Sequence, residues 1–497
     1  MLEHNLPLKE SIQRLSPAVH GGLIKKYAQK HGFDESEILD FSASLNPMGT
    51  PFDYFSTKYN IDHLLAKALK KIHQYPDNRY YEFRKAASDF LVDYLTTPEN
   101  IVPGNGSSEI IRLVVESVVG PGDKVLIPEP TFSEYEVQCN IFGADIVNIK
   151  QEDVNELTDE QLKDIKILFL CNPNNPTGIL RPHEELEVLA EKCMENNVLL
   201  FVDEAFSELS DPTQSIVDIA LNNDHVFVLR SLTKSFAIPG IRMGFGVTTH
   251  KMAAFLNDAR LSWNLGSIPD TIATELLSMP GGYNNEYLVE SRELIAQERE
   301  YLFERFSNIR GFEPIPSDVN YICVNLDNFL MDSTELFKRL AVKGILIRDC
   351  ASFKELGTSY ARFAVRTREE NEKLAESIGD VLTGWGKEQA RAELRDTMEK
   401  VAEGASLGRT TCEYYPCHFE DQDCIFCFCP FYPCEDERTG GKMVDRSSGG
   451  KIWSCQGCHV IHYKDVAQDV LDILMNEGDN EENLKSAWKR VMEPYLC

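Results

Sequence analysis

The chain has 497 residues, a net charge of −29 and 14 cysteines, and 43% of its residues are hydrophobic. This composition is ordinary for a globular protein with a large core. The acidic excess argues against nucleic acid or an anionic membrane as a bulk partner. No apolar run has the length of a signal peptide or a membrane span, so we expect a cytoplasmic protein that binds neither nucleic acid nor membrane.

The first 50 residues predict a short helix followed by a loop. The helical pattern covers Leu8–Leu15, and His20 opens a His-Gly-Gly turn. The stretch Asp40–Gly49 contains Pro47, which predicts a turn or an extended segment. Such a segment can lie across a cleft, although an ordinary surface loop has the same composition.

Helical patterns between residues 60 and 95 are interrupted by Pro76, within the stretch Tyr75–Tyr80. The chain then reads Gly104-Asn105-Gly106-Ser107-Ser108, a glycine-rich turn that opens a helix. Free backbone amides at a helix start, together with the helix dipole, favour an anion. The turn is therefore a candidate phosphate cradle, and a plain loop-to-helix junction is the alternative.

Short apolar runs alternate with helical patterns from residue 123 to residue 247. This alternation predicts an α/β fold with a mostly parallel, doubly wound sheet, which binds ligands at the carboxyl ends of its strands. Polar motifs follow four of the predicted strands: Pro130-Thr131-Phe132, Asn172–Gly178, Asp203–Phe206 and Ser231–Arg242. The predicted strands are Lys124–Ile127, Ile146–Ile149, Ile167–Cys171, Val198–Val202, Val226–Leu229 and Met243–Val247.

The rest of the chain predicts three further regions. Residues 250–310 are expected to be largely helical. Residues 311–382 predict a small α+β region with strands Asn320–Val324, Ile345–Arg348 and Ala361–Val365 and helices Ser333–Lys343 and Glu369–Leu382. We expect a unit at 1–384, with a large domain at about 50–285 and a small domain at 1–49 and 286–384, then a linker or helix at 385–409 and a cysteine-rich domain at 410–497.

Lys234 lies three residues after Ser231 and eight residues before Arg242. A lysine can form a Schiff base with an aldehyde cofactor, and a hydroxyl and a guanidinium can hold that cofactor's phosphate. Taken alone the motif is common, and a solvated loop lysine would explain it. The other polar motifs at strand ends supply the partners that this hypothesis requires.

Four motifs occur in order over about residues 15–382: Gly104-Asn105-Gly106-Ser107, Asn172–Gly178, Asp203-Glu204-Ala205-Phe206 and Ser231-x2-Lys234-x7-Arg242. They resemble the motifs of fold-type I pyridoxal-phosphate (PLP) enzymes of the class I/II aminotransferase superfamily, in particular the histidinol-phosphate aminotransferase group. His20-Gly21-Gly22, Asp40–Pro47 and Arg362–Thr367 look most like the threonine-phosphate decarboxylases of cobalamin (cobamide) biosynthesis. Ser44 departs from that pattern, because asparagine is commoner there.

This resemblance implies decarboxylation of L-threonine O-3-phosphate to (R)-1-amino-2-propanol O-2-phosphate. Motifs do not distinguish decarboxylation from transamination, since both use the same bound cofactor. An aminotransferase acting on a phosphorylated substrate of the histidinol-phosphate type is therefore the alternative.

The resemblance also implies roles for individual residues. Lys234 would bind the cofactor aldehyde, and Asp203 would keep the pyridine nitrogen protonated. Asn175 would donate to the 3′ oxygen of the ring, and Phe132 would stack on it. The cofactor phosphate would be held by Ser107, Ser108, Ser231 and Arg242, joined by Tyr75 of the second subunit of a homodimer. The expected substrate contacts are His20, Ser42, Asn175, Arg348 and Arg362.

Nine of the cysteines lie between Cys412 and Cys497, where two Cys-x2-Cys pairs have metal-ligand spacing. The ligands exceed the need of one tetrahedral metal, so zinc, an iron–sulfur centre or both could be held. The candidate ligands are Cys412, Cys417, Cys424, Cys427, Cys429, Cys434, Cys455, Cys458, His459 and His462. A haem-attachment motif at Cys455–His459 is disfavoured because no export signal is present.

The tail is similar to a cysteine-rich small domain found in archaeal members of the decarboxylase family. That resemblance implies a role in making threonine phosphate from threonine and ATP. Neither Gly440–Lys442 nor Gly449–Lys451 forms a P-loop, so a non-catalytic structural or regulatory metal module is the alternative. The helical spacing of Lys464–Met475 predicts a helix that packs on this module.

Overall fold

The structure is a computed structural model that describes residues 8–13, 15, 18, 21–55, 59–403, 415, 418–445 and 451–496. The chain divides into two compact units, Met1–Asn371 and Glu372–Cys497. In the described ranges, no helix is both long enough and apolar enough to cross a membrane.

The strands are β1 Leu39–Asp40, β2 Ile101–Gly104, β3 Lys124–Glu129, β4 Asp145–Lys150, β5 Ile165–Cys171, β6 Leu199–Asp203, β7 Val226–Ser231, β8 Gly244–Val247, β9 Glu313–Pro314, β10 Tyr321–Asn325, β11 Ile345–Leu346, β12 Arg348–Asp349, β13 Tyr360–Ala364, β14 Lys442–Asp445 and β15 Lys451–Ser454.

The α-helices are α1 Glu10–Gln13, α2 Ile24–His31, α3 Pro51–Tyr54, α4 Ile61–Leu69, α5 Tyr81–Phe90, α6 Ser107–Val118, α7 Glu134–Phe142, α8 Asp159–Leu162, α9 His183–Glu195, α10 Val217–Asn222, α11 Leu232–Ser235, α12 His250–Ala259, α13 Ser267–Leu277, α14 Glu286–Ser307, α15 Ser333–Ala341, α16 Arg368–Ala402, α17 Lys464–Glu477, α18 Glu481–Ala487 and α19 Glu493–Leu496.

A seven-stranded sheet in the order β2-β8-β7-β6-β5-β3-β4 forms the centre of the first unit. Strands β4, β3, β5, β6 and β7 are parallel, and only β8 runs against its neighbours. Side chains on both faces are buried, with Leu168 and Leu200 in one apolar cluster and Phe169 and Phe201 in the other. This two-sided burial explains the near-continuous apolar runs in the sequence, and the predicted mostly parallel sheet is confirmed.

The edge strand β2 was not expected from the sequence. Its last residues, Pro103 and Gly104, are poor strand formers, and an edge position tolerates them because only one side of the strand is paired. Helix α6 begins three residues after β2, beyond Gly106, whose φ of 77° lies in the left-handed region. The glycine-rich turn is therefore the connection from an edge strand to a helix.

A four-stranded antiparallel sheet, in the order β12-β13-β10-β9, forms the small domain of the first unit. The predicted single strand Ile345–Arg348 is wrong, since the chain changes sheets at Ile347. Strand β11 pairs with β1, whereas β12 pairs with β13. This change places Arg348 directly opposite Arg362.

The segment after β1 joins the small sheet to the turn that carries Lys234. The carbonyl of Phe41 accepts from the amide of Ala364 at 2.9 Å. The amide of Asn46 donates to the carbonyl of Lys234 at 3.1 Å, and its side chain donates to the carbonyl of Ser235 at 2.9 Å. The extended segment predicted at Asp40–Gly49 thus crosses between the two sheets.

Helix α16 is a single helix of 35 residues. The predicted helix Glu369–Leu382 therefore continues to Ala402 through the stretch for which the sequence predicted a linker or helix. Further along the second unit, β14 and β15 pair as a hairpin. The predicted helix at Lys464–Met475 is present as α17, which buries Val466, Val470 and Leu474 in the core of this unit.

A buried ion network lies beneath the lysine turn. The Arg230 guanidinium, 1% exposed, contacts the carboxylates of Glu204 at 2.9 Å and Glu208 at 2.7 Å. Ser215 bridges Glu204 and Arg230, and Ser235 donates to Glu208 at 2.9 Å. Removing one member of such a network leaves an uncompensated buried charge.

We expect Arg230→Ala to lower the free energy of unfolding of the first unit by about 3–5 kcal/mol, because two carboxylates would lose their cation. Urea unfolding followed by far-ultraviolet circular dichroism measures the change. The matched control is Lys251→Ala, which breaks an exposed pair with Asp224 and should cost less than about 1 kcal/mol. Equal losses in the two variants would show that the buried network does not stabilise the fold.

Candidate active site

A cavity of about 300 Å³ lies at the carboxyl edge of the large sheet. The loops that follow β5, β6 and β7 meet there because parallel strands end on the same edge. Residues of the small domain complete its wall. The predicted site residues that line it are Ser42, Ser107, Ser108, Phe132, Asn175, Asp203, Ser231, Lys234, Arg242, Arg348 and Arg362.

Lys234 lies in the short helix α11, directly after β7. Its Nζ is 6.0 Å from the centre of the Phe206 ring. Burial, together with the nearby positive charges of Arg362 and Arg242, lowers the pKa of Lys234 to about 8. A larger fraction of neutral amine is therefore present near pH 7 than for an ordinary lysine, and the neutral amine is the form that attacks an aldehyde.

Asp203 ends β6 and accepts hydrogen bonds from the Tyr135 hydroxyl at 2.7 Å and the Ala205 amide at 3.0 Å. Burial raises the pKa of Asp203 to about 6, against the effect of these two donors. Among the described residues, no cationic nitrogen lies within 4 Å of its carboxylate. A buried carboxylate without a cation fits a protonated ring nitrogen from a ligand.

Sequence reasoning missed Tyr135. This tyrosine lies three residues after Phe132 in the first turn of α7, and its ring stacks on Phe169 at 5.0 Å between centroids. Helical spacing from Phe132 was the one signal that could have placed Tyr135 near the site. Its partner Asp203 is far away in the sequence, so the hydrogen bond itself could not be read from a local pattern.

The predicted phosphate cradle is assembled at the start of α6. No side chain caps the first turn, so the amides of Ser107 and Ser108 are left to meet an anion. Gly106 suits this turn because its φ of 77° lies in the left-handed region, and an added Cβ would also displace the Arg242 guanidinium, which lies 2.5 Å away. The Ser231 hydroxyl, which shares a hydrogen bond of 2.9 Å with the Thr233 hydroxyl, also lines the cavity beside these residues.

Arg362 and Arg348 occupy opposite positions on β13 and β12 and are both buried. Arg362 donates to the Ser42 carbonyl at 2.9 Å and to the side-chain oxygen of Asn175. In the described part of the chain no carboxylate contacts Arg362 within 4 Å. Burial lowers the pKa of Arg348 to about 10, and the charge of Arg362 adds to this effect. Two adjacent buried cations strongly favour an anionic ligand.

Side-chain geometry refines three of the predicted roles. Asn175 uses its oxygen for Arg362, which leaves its amide group to donate to a ligand. The Ser42 hydroxyl donates to Asp40 at 2.6 Å and accepts from the Gly22 amide at 2.9 Å, so its carbonyl rather than its hydroxyl faces Arg362. Phe132 lies at the cavity wall, 5.7 Å from Tyr135 between ring centroids.

Tyr75 and His20 are not placed in the cavity. Tyr75 is 79% exposed and stacks on Trp263 at 4.5 Å between centroids, so its contact with a cofactor across a dimer stays a prediction. His20 lies outside the described residues. Phe353 lines the cavity unexpectedly, with the Arg348 guanidinium 5.1 Å from its ring centre.

Pyridoxal phosphate fits this set of residues. The carboxylate of Asp203 matches its ring nitrogen, Lys234 its aldehyde, and the α6 cradle with Arg242 its phosphate. When bound, this cofactor supplies an electron sink for a substrate carbanion. Asp203, Lys234 and the cradle would hold the ring in one orientation.

The cysteine-rich part of the second unit is only partly described, since Cys412 and Cys417 lie outside the described residues. Burial raises the pKa of the Cys429 thiol, and negative charge on Cys458, Cys455 and Cys434 adds to the rise. His418 stacks on His462 at 4.4 Å between centroids. In the described part of the chain, however, no group of three potential ligands is arranged to hold a metal ion.

The family model described as aminotransferase class I and II matches residues 41–378, and that described as a cysteine-rich small domain matches residues 405–485. A histidinol-phosphate aminotransferase of Methanopyrus kandleri is 28% identical over 399 residues, covering 76% of this chain and 97% of the relative. A threonine-phosphate decarboxylase of Salmonella typhimurium is 30% identical over 375 residues, covering 74% and 97%.

Solved structures agree with these matches. The histidinol-phosphate aminotransferase of Clostridium acetobutylicum aligns with a TM-score of 0.61 at 28% identity, covering 69% of this chain and 99% of the other. The L-threonine-O-3-phosphate decarboxylase of Porphyromonas gingivalis aligns with a TM-score of 0.60 at 20% identity and the same coverage, a likeness of fold alone. The predicted fold-type I architecture is confirmed.

We expect Lys234 in the cofactor-free protein to react with an amine reagent with a midpoint near pH 8, whereas ordinary lysines have midpoints near about 10.4. Peptide mapping after labelling at a series of pH values measures this difference. The Arg362→Gln variant should shift the midpoint upward, because one positive neighbour is removed. An ordinary lysine midpoint in both proteins would contradict the proposed environment of Lys234.

Proposed function

The chain belongs to the aminotransferase class I and II family, and we propose that it uses PLP to decarboxylate L-threonine O-3-phosphate. The product would be (R)-1-amino-2-propanol O-2-phosphate, a building block of cobalamin. The observation that carries this proposal is the buried pair Arg348 and Arg362 beside the lysine. The similarity to a threonine-phosphate decarboxylase at 30% identity supports it.

The two arginines suit an amino acid with two anionic groups. Arg362 lies beside Asn175 and can take an α-carboxylate in a bidentate contact. Arg348, oriented by Ser352 at 2.8 Å, can take the phosphate. Directly opposite residues on antiparallel strands have Cβ atoms about 4.5–5.5 Å apart, so one small substrate can reach both cations.

The arginines would also decide which substrate bond breaks. The residues of the site would determine which substrate bond is held where the bound cofactor can accept its electrons. If Arg348 holds the phosphate, the substrate is fixed at both ends and its carboxylate can be turned into that position. The carboxylate would then leave as carbon dioxide, and a proton would take its place on the α-carbon.

Lys234 is suited to deliver that proton. A pKa of about 8 allows the amine to hold a proton near neutral pH and to release it readily. The backbone of Lys234 is fixed by Asn46, and the neighbouring Ser235 is fixed by Glu208. The backbone from which the Lys234 side chain extends is therefore fixed at the cavity wall.

Transamination of a phosphorylated substrate is the second candidate function. Several relatives carry the name histidinol-phosphate aminotransferase, including the one from Methanopyrus kandleri. The arginine pair could then hold the phosphate of one substrate and the carboxylates of the other in turn. The same residues serve both reactions, so the products must separate the candidates.

We expect the purified protein with PLP to release carbon dioxide from L-threonine O-3-phosphate in the absence of any keto acid. Carbon dioxide is trapped and counted, and aminopropanol phosphate is identified by mass spectrometry. Amino transfer that requires a keto acid, without release of carbon dioxide, would establish the aminotransferase instead. L-serine O-phosphate serves as the comparison substrate, since it lacks only the methyl group.

The Arg362→Gln variant should lower kcat/KM for threonine phosphate about 10- to 100-fold. A charge-assisted hydrogen bond contributes about 1.5–3 kcal/mol, and each 1.4 kcal/mol is a factor of about ten. The matched control is Arg310→Gln, which changes an exposed arginine outside the cavity and should leave kcat/KM unchanged. Steady-state kinetics with fully loaded cofactor measures both variants. Similar kcat/KM values in the Arg362→Gln and Arg310→Gln variants would mean that Arg362 does not bind the substrate.

We further infer that the enzyme is a homodimer, with Tyr75 of one subunit reaching the cofactor phosphate of the other. The exposure of Tyr75 and Trp263, which stack on each other, supports this inference. Aromatic side chains exposed together are typical of protein–protein interfaces.

We also propose that the cysteine-rich unit holds zinc, an iron–sulfur centre or both. Two Cys-x2-Cys pairs, Cys424 with Cys427 and Cys455 with Cys458, support this proposal, because thiolates at this spacing are typical ligands of such metals. Among the described side chains, no group of three potential ligands is arranged as a metal site.

Elemental analysis of the full chain should therefore find zinc or iron. The double variant Cys455→Ser, Cys458→Ser should lose that metal, since it removes one of the two Cys-x2-Cys pairs. A control variant, Cys139→Ser, changes a buried cysteine of the first unit and should retain the metal. A wild-type protein without zinc or iron would end the metal proposal.

A further inference from the structure

Tyr321 is a fully buried tyrosine whose side chain contacts residues of the candidate active site. It is the first residue of β10 and is 0% exposed. In the described structure it does not line the cavity around Lys234 (the lysine cavity), whereas Phe206, Asn175 and Arg362 do. Any role of Tyr321 in the site is therefore indirect and acts through these neighbours.

The register of the small sheet brings Tyr321 next to Arg362. Strands β10 and β13 are antiparallel, with Tyr321 opposite Ala364 and Cys323 opposite Arg362. Tyr321 and Arg362 are thus diagonal neighbours on one face of the sheet, a separation that long side chains can span. The central carbon of the Arg362 guanidinium lies over the Tyr321 ring, 4.9 Å from its centre. A ring attracts a cation in this position, and the attraction is stronger where water is excluded.

The hydroxyl of Tyr321 reaches the loop that follows β5. It donates to the Asn174 carbonyl at 2.9 Å. The next residue of that loop, Asn175, accepts a hydrogen bond from the Arg362 guanidinium with its side-chain oxygen. The Tyr321 backbone is held as well, because its carbonyl accepts from the Ser317 hydroxyl at 2.6 Å. Ring and hydroxyl of one side chain therefore hold both the guanidinium and the loop that carries its acceptor.

A second ring connects this contact to Lys234. Phe206 meets Tyr321 nearly edge to face, with ring centroids 5.1 Å apart. The amine of Lys234 lies 6.0 Å from the centre of the Phe206 ring. Edge-to-face pairs of buried rings are a favourable arrangement, so the two rings form an ordered chain of contacts from the lysine to the arginine.

Arg362 keeps donors that the described residues do not use. Its Nε is buried and has no hydrogen-bond partner among them. A guanidinium has five N–H donors in one plane, and a carboxylate can accept two of them side by side. The direction in which Arg362 can bind a carboxylate is therefore set by whatever fixes the plane of its guanidinium.

We propose that Tyr321 is a positioning residue for Arg362, whose guanidinium it presents in one orientation to the α-carboxylate of the substrate. This inference rests on the proposed function, in which Arg362 binds that carboxylate. It predicts that Tyr321 affects only ligands that carry the carboxylate. A tyrosine that merely filled the core would stabilise the fold and affect all ligands of the lysine cavity alike.

Ligand binding to the holoenzyme after borohydride reduction tests the assignment, because reduction fixes the cofactor on Lys234 and prevents turnover. Isothermal titration compares L-threonine O-3-phosphate with (R)-1-amino-2-propanol O-2-phosphate, which lacks only the carboxylate. Tyr321→Leu should bind threonine phosphate about 5- to 30-fold more weakly, and aminopropanol phosphate within about twofold of the wild type. Tyr321→Phe keeps the ring and should lose less than about 5-fold for threonine phosphate.

Tyr301→Leu is the matched control. It removes a tyrosine ring whose centre lies 4.0 Å from the central carbon of the Arg368 guanidinium, outside the lysine cavity. This variant should bind both compounds like the wild type. In the Arg362→Gln protein, Tyr321→Leu should cause little further loss, because the side chain through which it acts is already absent.

Circular dichroism checks that each variant is folded, and Tyr321→Met replaces Tyr321→Leu if that variant unfolds. Equal weakening of both compounds, unchanged binding of threonine phosphate, or full additivity with Arg362→Gln would each overturn the assignment. If the wild type releases no carbon dioxide but Tyr321→Leu selectively weakens threonine phosphate, the proposed reaction fails and the role of Tyr321 stands. A wild type that does not bind threonine phosphate would refute both.

Discussion

The parallel alignment of β5, β6 and β7 is the constraint on which the lysine site depends. It brings the ends of three strands to one edge, where the register places Cys171 beside Asp203. Asp203 is thereby buried, with no cationic nitrogen of a described residue within 4 Å, while Lys234 is held a few residues past the end of β7. The Asp203 carboxylate and the cations Lys234, Arg242, Arg348 and Arg362 then line one small cavity. A ligand with a cationic ring nitrogen and anionic substituents is the complement of that arrangement.

The motifs that depend on neighbouring residues could be predicted from the sequence. The glycine-rich turn, Asp203 and Lys234 lie at strand or helix ends whose patterns are local. Features that depend on distant pairing could not be predicted. Strand β2 ends in Pro103 and Gly104 and forms because β8 pairs with it at the edge of the sheet. Arg348 faces Arg362 only because the chain changes sheets, and Tyr135 finds Asp203 through the tertiary fold.

Electrostatic repulsion limits what the lysine cavity can bind. Burial removes water from Arg348 and Arg362 and makes their mutual repulsion costly. An anionic ligand that contacts both guanidinium groups relieves that cost. The acidic surface of the chain repels anions at long range, so the site depends on short-range contacts to capture one.

The segment from Ser42 to Asn46 has a consequence for how substrate and cofactor influence each other. At one end of the segment, the Ser42 carbonyl accepts a hydrogen bond from the Arg362 guanidinium. At the other end, the Asn46 amide donates to the Lys234 carbonyl. A substrate that drew Arg362 towards itself would act on the same segment that holds the Lys234 backbone. By thermodynamic linkage any such effect would be reciprocal, so cofactor bound at the lysine would change the affinity for the carboxylate by the same factor. These five residues are thus a direct backbone connection between Arg362 and Lys234.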